Sequence, residues 1–240
     1  MAAAMDALAG FRAAIGATRV VTDAATCALY SQDVYRSGVP ALAVLQPQDV
    51  TDVLALVRAA RTSRTALHVR GGGMSYTDAY LPSESHSVIV DLSALKRIRT
   101  LSTVDMTVTA ESGCTWAELD AALAPHSLRA KFWGPMSGAR ATLGGGMSQG
   151  AATFGSARHG TSASAALGFE VVLGTGDVGR RVVQALVSRG AGQVAVASRT
   201  FENARALAAE FGGACLTWIF LRWIAHFSHL RATEQGVIVK

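Results

Sequence analysis

The chain has 240 residues, of which 50% are hydrophobic and 16% charged, which is enough for one large domain or two small ones with a substantial core. The net charge is +5, but the basic residues are scattered singly, which argues against a nucleic-acid partner and favours a generic surface or an anionic cofactor. The cysteines, Cys27, Cys114 and Cys215, form no CxxC motif, so neither a disulfide framework nor a metal site is expected, and without a signal-peptide pattern we expect a cytoplasmic protein.

The first part of the chain predicts a β-α-β-loop-β unit. Apolar residues at helical spacing predict a short helix around Phe11 and a second helix that begins after Asp49. Strands are expected at residues 19–21, 42–45, 66–69 and 87–91.

The strand at residues 66–69 leads directly into a loop with three consecutive glycines. Glycine lets the backbone adopt positive φ and approach a ligand closely, and successive backbone N–H groups in such a turn form an anion site. An arginine at the start of this loop adds a fixed positive charge. The candidate binding residues in the first glycine loop are Arg70, Gly71, Gly72, Gly73, Met74, Ser75 and Tyr76.

A second unit of strand and helix follows. Alternating apolar residues from Val104 to Ala110 predict a half-buried strand, and Thr115 with Glu118 forms a capping-box pattern that predicts a helix to about Leu123. The candidate binding residues in a second glycine loop are Pro135, Ser137, Thr142, Gly144, Gly145 and Ser148. Two glycine loops so far apart in sequence suggest two walls of one diphosphate slot, with ordinary tight turns as the alternative.

The segments YSQD, LHVRGGGMSYTDAYLP, VIVDLSAL and VTAESGCTWAEL, followed by GPMSGARATLGGGMSQGAATFGSARHG, resemble the FAD-binding domain of the vanillyl-alcohol-oxidase or PCMH-type flavoproteins. The resemblance covers about residues 19–177 and points toward D-lactate or glycolate dehydrogenase-like FAD-linked oxidases. It implies an α+β, two-lobed FAD-binding fold and flavin-mediated oxidation of an alcohol or 2-hydroxy acid.

The same resemblance implies that the first glycine loop holds the FAD pyrophosphate and that the second forms the opposite wall. Residues expected near the flavin or ribityl chain are Gly155, Ser156 and Gly160. Many members have a histidine bonded covalently to flavin where this chain has Met74, so FAD is expected to bind non-covalently. The family's base and carboxylate-binding arginine usually belong to a cap domain that has no counterpart here. We therefore name no catalytic residue, and His159 and His68 are the nearest candidates.

A second signature begins near residue 169. A strand at 169–173 leads into a G-x-G-x-x-G fingerprint, and a helix, a strand at 193–197 and a helix capped by Thr200 complete a β-α-β-α order. Arg199 stands where an acidic ribose reader is usual, which favours NADP over NAD. Residues 170–213 resemble the NADP-binding segment of glutamyl-tRNA reductase and shikimate dehydrogenase-like proteins. The candidate binding residues there are Gly174, Gly176, Val178, Gly179, Ser198, Arg199 and Thr200.

Three regions are therefore expected: a FAD-binding domain at 1–173, a partial Rossmann-like segment at 174–213 and an apolar tail at 214–240. The two resemblances overlap at 170–178, as in a fusion of two incomplete parents. In the tail, Arg222 and His226 interrupt the apolar stretch 215–227, so a buried or interfacial helix is expected, with membrane contact as the alternative.

Three functions remain open at this point. The first is an FAD-binding oxidoreductase acting on a small molecule, and the longer of the two resemblances favours it. The second is an NADP-dependent reductase, and the third is a non-enzymatic fusion fragment whose motifs are relics. The sequence determines neither the substrate nor the oligomeric state.

Overall fold

A computed structural model describes residues 2–132, 137–169, 172, 195–197, 214–216 and 222–229. Within them, helices and strands form two lobes, each with its own sheet and apolar core. The helices are α1 (Ala2–Ile15), α2 (Ala24–Tyr30), α3 (Val50–Ser63), α4 (Trp116–Leu123), α5 (Leu143–Ser148) and α6 (Ser156–His159). The strands are β1 (Val20–Val21), β2 (Ala43–Leu45), β3 (Ala66–Arg70), β4 (Ser87–Asp91), β5 (Ile98–Ser102), β6 (Thr107–Glu111), β7 (Leu128–Ala130), β8 (Ala166–Phe169), β9 (Ala195–Ala197), β10 (Ala214–Leu216) and β11 (Arg222–His229).

The first lobe contains a four-stranded sheet in the order β1-β2-β4-β3. Strands β2, β4 and β3 run parallel, and every residue of β4 is buried, as expected for a parallel strand that is covered on both faces. Helices α1 and α3 belong to the core of this lobe through the fully buried side chains of Phe11 and Leu56. Because β3 and β4 are parallel and in register, Arg70 and Asp91 lie side by side at their carboxyl ends.

The second lobe contains a sheet in which β6 pairs with β5 on one edge and with β11 on the other. Strand β11 also pairs with β7 and β8, so residues 222–229 lie inside this sheet. Helix α4 supplies Trp116, Leu119 and Leu123 to the core, and the predicted capping box between Thr115 and Glu118 is present at its start. Strands β9 and β10 form a separate parallel pair.

The structure confirms the α+β class and most of the elements predicted for the first lobe, including the helix that Asp49 caps. The strand predicted from Val104 is wrong at its start, because Val104 lies in the turn before β6 and Met106 has a φ of 55°. The expected helix at 215–227 is also wrong, since 214–216 and 222–229 are strands. The expected helices after residue 174 lie outside the described residues. None of the helices in the described part of the chain has the length and apolar character required to cross a bilayer.

Candidate functional site

A cleft of about 400 Å³ lies where the two lobes meet. It is lined by Tyr30, Arg70, Gly71, Gly72, Asp91, Ser93, Lys96, Gly113, Thr115, Ala117, Glu118, Ala139, Arg140 and Thr142. The cleft therefore combines the end of β3, the end of β4, the start of α4 and the segment that precedes α5.

The two glycine loops are in direct contact at this cleft. A Cβ added to Gly71 would overlap the side-chain hydroxyl of Thr142, and one added to Gly72 would overlap the carbonyl oxygen of Arg140. The Gln149 side chain strengthens the contact, because its Nε2 donates a hydrogen bond to Ser75 Oγ at 3.1 Å. Only residues without a side chain allow the two backbones to approach this closely.

Arg70 is held at the end of β3 between two aromatic rings. Its guanidinium carbon lies 4.4 Å from the ring centroid of Tyr30 and 5.5 Å from that of Tyr80, both within cation–π range. The residue is only 9% exposed, and its Nε has no hydrogen-bond partner within the described part of the chain. Gly73, with a φ of 72°, makes room for this guanidinium, since a Cβ there would overlap Arg70 Nη2. A buried donor without a partner is a candidate ligand contact.

The three cations that line the cleft outnumber its two carboxylates. Lys96 Nζ donates to Glu118 Oε1 at 3.0 Å, so these two charges offset each other. Burial raises the pKa of Glu118, but hydrogen bonds from Thr115 and Lys96 lower it overall and keep the carboxylate ionised. Among the described residues, neither Arg70 nor Arg140 forms an ion pair. The cleft is therefore suited to an anionic ligand.

Asp91 is the remaining carboxylate of the cleft, and it lies beside Tyr30. Its Oδ1 accepts a hydrogen bond from the backbone N–H of Ser93 at 3.1 Å. Burial raises the pKa of Tyr30, and the charge of Asp91 and a hydrogen bond to it raise that pKa further, against the opposing charges of Arg70 and Arg140. The Tyr30 phenol therefore stays protonated at neutral pH.

Four of the candidate residues line the cleft: Arg70, Gly71, Gly72 and Thr142. The second loop is partly helical, because Thr142 caps α5 and accepts a hydrogen bond from the Gly145 N–H at 3.3 Å. The Gly144 N–H donates to the Ser112 carbonyl at 2.8 Å, and Ser148 Oγ donates to the Gly144 carbonyl at 2.7 Å. These groups already have partners within the fold.

The other candidates lie around the cleft or outside it. Met74 packs against the core of the second lobe, Tyr76 is 60% exposed, and Ser137 has a buried hydroxyl without a partner in the described residues. Three residues expected near the flavin do not line the cleft: Gly155, Ser156 and Gly160. The remaining candidates lie outside the described residues: Pro135, Gly174, Gly176, Val178, Gly179, Ser198, Arg199 and Thr200.

Neither candidate histidine lines the cleft. His68 lies within β3, and burial lowers its pKa. The His159 ring makes an edge contact with Phe132 at a centroid distance of 6.1 Å, and burial followed by the charges of Lys131 and Arg158 lowers its pKa. Both rings are consequently neutral over a wider pH range than a free histidine.

Several cleft residues were not predicted from the sequence, above all Tyr30, Asp91 and Arg140. The position of Asp91 could have been found, because it ends a buried parallel strand next to the strand that ends in Arg70, and ligands collect at the carboxyl ends of such strands. Tyr30 begins the YSQD segment and Arg140 lies in the GPMSGARATLGGG segment, but neither segment marks these two residues as binding residues. Only the folded chain brings them to the cleft.

The fold has two lobes whose glycine loops meet at an anion-suited cleft, and the family comparison is specific. The model of the FAD binding domain matches residues 41–180, more than half of the chain, and the chain therefore belongs to this FAD-binding domain family. A second model, of shikimate and quinate 5-dehydrogenases, matches the shorter segment 165–227. A search of curated proteins finds no match.

Several solved structures have the same fold. An alkyldihydroxyacetonephosphate synthase is 15% identical with a TM-score of 0.69, over 94% of this chain and 40% of that one. The 4-ethylphenol oxidase from Gulosibacter chungangensis is 21% identical with a TM-score of 0.60, over 72% and 34%. A Phl p 4 variant described as a glucose oxidase is 17% identical with a TM-score of 0.66, over 94% and 44%. The chain thus spans less than half the length of each of these structures.

Proposed function

We propose that this chain binds FAD non-covalently in the cleft and forms the cofactor domain of an oxidoreductase that oxidises an alcohol or a 2-hydroxy acid. The observation that supports it best is the direct contact between the two glycine loops. The contact brings bare backbone together with Arg70 and Arg140, which form no ion pair among the described residues, and this combination suits the diphosphate of a dinucleotide.

Several residues of the cleft are available to bind such a cofactor. Gly71 and Gly72 offer bare backbone, Thr142 and Arg140 line the cleft beside them, and Arg70 contributes a guanidinium whose Nε has no hydrogen-bond partner in the described residues. Bound FAD supplies the hydride acceptor for alcohol oxidation. This chain's own part is to bind the phosphates and to fix the orientation of the cofactor relative to the protein.

The side chains near the loops support a non-covalent mode of binding. Met74 has a thioether in place of an imidazole, and it packs into the second core. Cys27 and Cys114 are buried thiols, and burial raises the pKa of both. None of these three side chains is a suitable nucleophile for attachment to a flavin.

Titration of the purified protein with FAD, followed by flavin absorbance and fluorescence, tests this proposal. We expect saturable FAD binding, much weaker binding of riboflavin because it lacks the diphosphate, and complete release of the flavin when the protein is precipitated with acid. A folded protein that binds no FAD would contradict the proposal and favour a non-enzymatic fusion fragment. Flavin retained by the acid precipitate would contradict the non-covalent mode.

A second candidate function is an NADP-dependent reductase built on residues 170–213. It is favoured by the dehydrogenase family match over 165–227 and by the parallel pairing of β9 with β10, a pairing typical of nucleotide-binding sheets. NADPH fluorescence titration tests it: the Arg199→Ala variant should bind NADPH at least about tenfold more weakly, with Arg36→Ala as the control. Wild-type protein without saturable NADPH binding would exclude this function.

A further inference from the structure

We propose that Tyr30 is a positioning residue for FAD: its ring supports the Arg70 guanidinium, so that Arg70 stays available to the cofactor phosphates. This inference rests on the FAD binding proposed above. It adds a residue from α2 that lies outside both glycine loops.

Tyr30 is the nearer of the two aromatic rings that contact the Arg70 guanidinium. The Tyr30 centroid is 4.4 Å from the guanidinium carbon of Arg70, closer than the 5.5 Å of Tyr80. Tyr80 is almost fully buried and its hydroxyl donates to the Gln32 carbonyl at 3.0 Å, whereas Tyr30 lines the cleft. Tyr30 is thus the ring on the ligand side of the arginine.

The positive charge of Arg70 has no ion-pair partner among the described residues. Its register partner on β4 is Asp91, a buried carboxylate, yet the two side chains form no ion pair. Asp91 instead accepts a hydrogen bond from the Ser93 N–H at 3.1 Å. The Tyr30 ring holds the guanidinium on its face. The guanidinium therefore keeps its Nε without a partner in the described residues.

The Arg70 guanidinium also contacts the first glycine loop. A Cβ on Gly73 would overlap Arg70 Nη2, so the loop is shaped around this guanidinium. If the ring of Tyr30 is removed, the guanidinium can move toward Asp91 and the loop loses its support. Both changes weaken an anion site built from this arginine and the adjacent glycine backbone.

The experiment compares FAD binding by wild type, Tyr30→Leu, Tyr30→Phe and the control Tyr35→Leu, whose ring is 75% exposed. We expect the dissociation constant to rise about fivefold or more in Tyr30→Leu, from the loss of a cation–π contact, and to stay within about twofold in Tyr30→Phe and in the control. The salt dependence of FAD binding should also become weaker in Tyr30→Leu, because the arginine contributes less. A merely structural role would leave that dependence unchanged.

Two results would contradict these proposals, and they differ in what they overturn. Wild-type protein that binds no FAD would overturn the proposed function and this inference together. Wild-type binding with an unchanged dissociation constant and salt dependence in Tyr30→Leu would overturn the inference alone. Thermal unfolding establishes that each variant is folded, and Tyr30→Met, which also removes the ring, replaces Tyr30→Leu if the leucine variant is unfolded.

Discussion

The carbonyl oxygen of Arg140 lies where a side chain on Gly72 would begin. These two residues belong to different lobes and are 68 positions apart in sequence, within the FAD-binding domain match. Their contact joins the end of β3 to the segment before α5 and closes the cleft at one end. The site therefore depends on how closely the two backbones approach.

We predict that Gly72→Ala separates the loops and weakens FAD binding by at least about tenfold, because the overlap is with backbone and overpacking of this kind costs about 1–3 kcal/mol. Fluorescence titration with FAD measures the effect. Gly168→Ala is the matched control, since a Cβ there meets nothing within 4 Å. Equal affinity in both variants would show that the close approach of the loops is unimportant.

Glu111 makes the stability of the second lobe dependent on pH. Its carboxylate is 1% exposed, accepts a hydrogen bond from the Arg97 N–H at 2.8 Å and pairs with the side chains of Arg97 and Arg99. Burial raises the pKa of Glu111, but these hydrogen bonds and charges lower it overall. Because the folded-state pKa lies below the unfolded value of about 4.3, this stabilisation is complete above that pH and is lost as the pH falls below it.

We therefore expect Glu111→Gln to lower the free energy of unfolding at pH 7 by about 1–2 kcal/mol, a moderate value because both arginines are partly exposed and solvent screens the pair. Urea unfolding at several pH values measures it. The difference from wild type should shrink below about pH 4. A difference that is constant with pH would refute the ionic origin of the effect.

Cys114 should be inert in the folded protein. Burial, with a smaller contribution from the charge of Glu118, raises its pKa to about 12. At pH 8 the thiolate fraction is then more than about 1,000-fold below that of a free cysteine. In a Cys215→Ser background, iodoacetamide should leave Cys27 and Cys114 unmodified in the native state and label both in urea, as read by peptide mass spectrometry. Rapid native labelling of Cys114 would show that it is accessible.

Strand β11 should be essential to the second sheet. Ala225 pairs with Val108 of β6 and with Ala166 of β8, so a proline there removes a hydrogen-bond donor from the middle of the sheet. We expect Ala225→Pro to lower the melting temperature by roughly 6–12 °C, which corresponds to about 3 kcal/mol, and Ala225→Ser to change it little. Circular dichroism gives both values. Equal melting temperatures for the two variants would place residues 222–229 outside the sheet.

Much of the first lobe could be predicted from local patterns. Asp49 caps α3, and the continuous apolar run of β4 predicts a buried parallel strand. The first glycine loop is predictable from the sequence alone, because three consecutive glycines after a strand have no side chains to pack. Local rules work here because each element carries its own start, stop and burial signal.

The other features of the fold and of the cleft depend on tertiary contacts, which local patterns do not predict. Three glycines disfavour a helix at residues 143–148, yet α5 forms because Thr142 caps it and Leu143 and Met147 are buried in the core. The alternation that begins at Val104 crosses a turn, so it overstates the length of β6. Tyr30 and Arg140 reach the cleft from segments distant in sequence, and only the folded chain brings them together there.

A crystal structure of the protein with FAD tests the central claim most directly. We expect the diphosphate in the cleft, against the backbone of Gly71 and Gly72 where it adjoins Thr142, and within reach of the Arg70 guanidinium. A diphosphate bound elsewhere on the molecule, or a cleft that stays empty at saturating FAD, would contradict it.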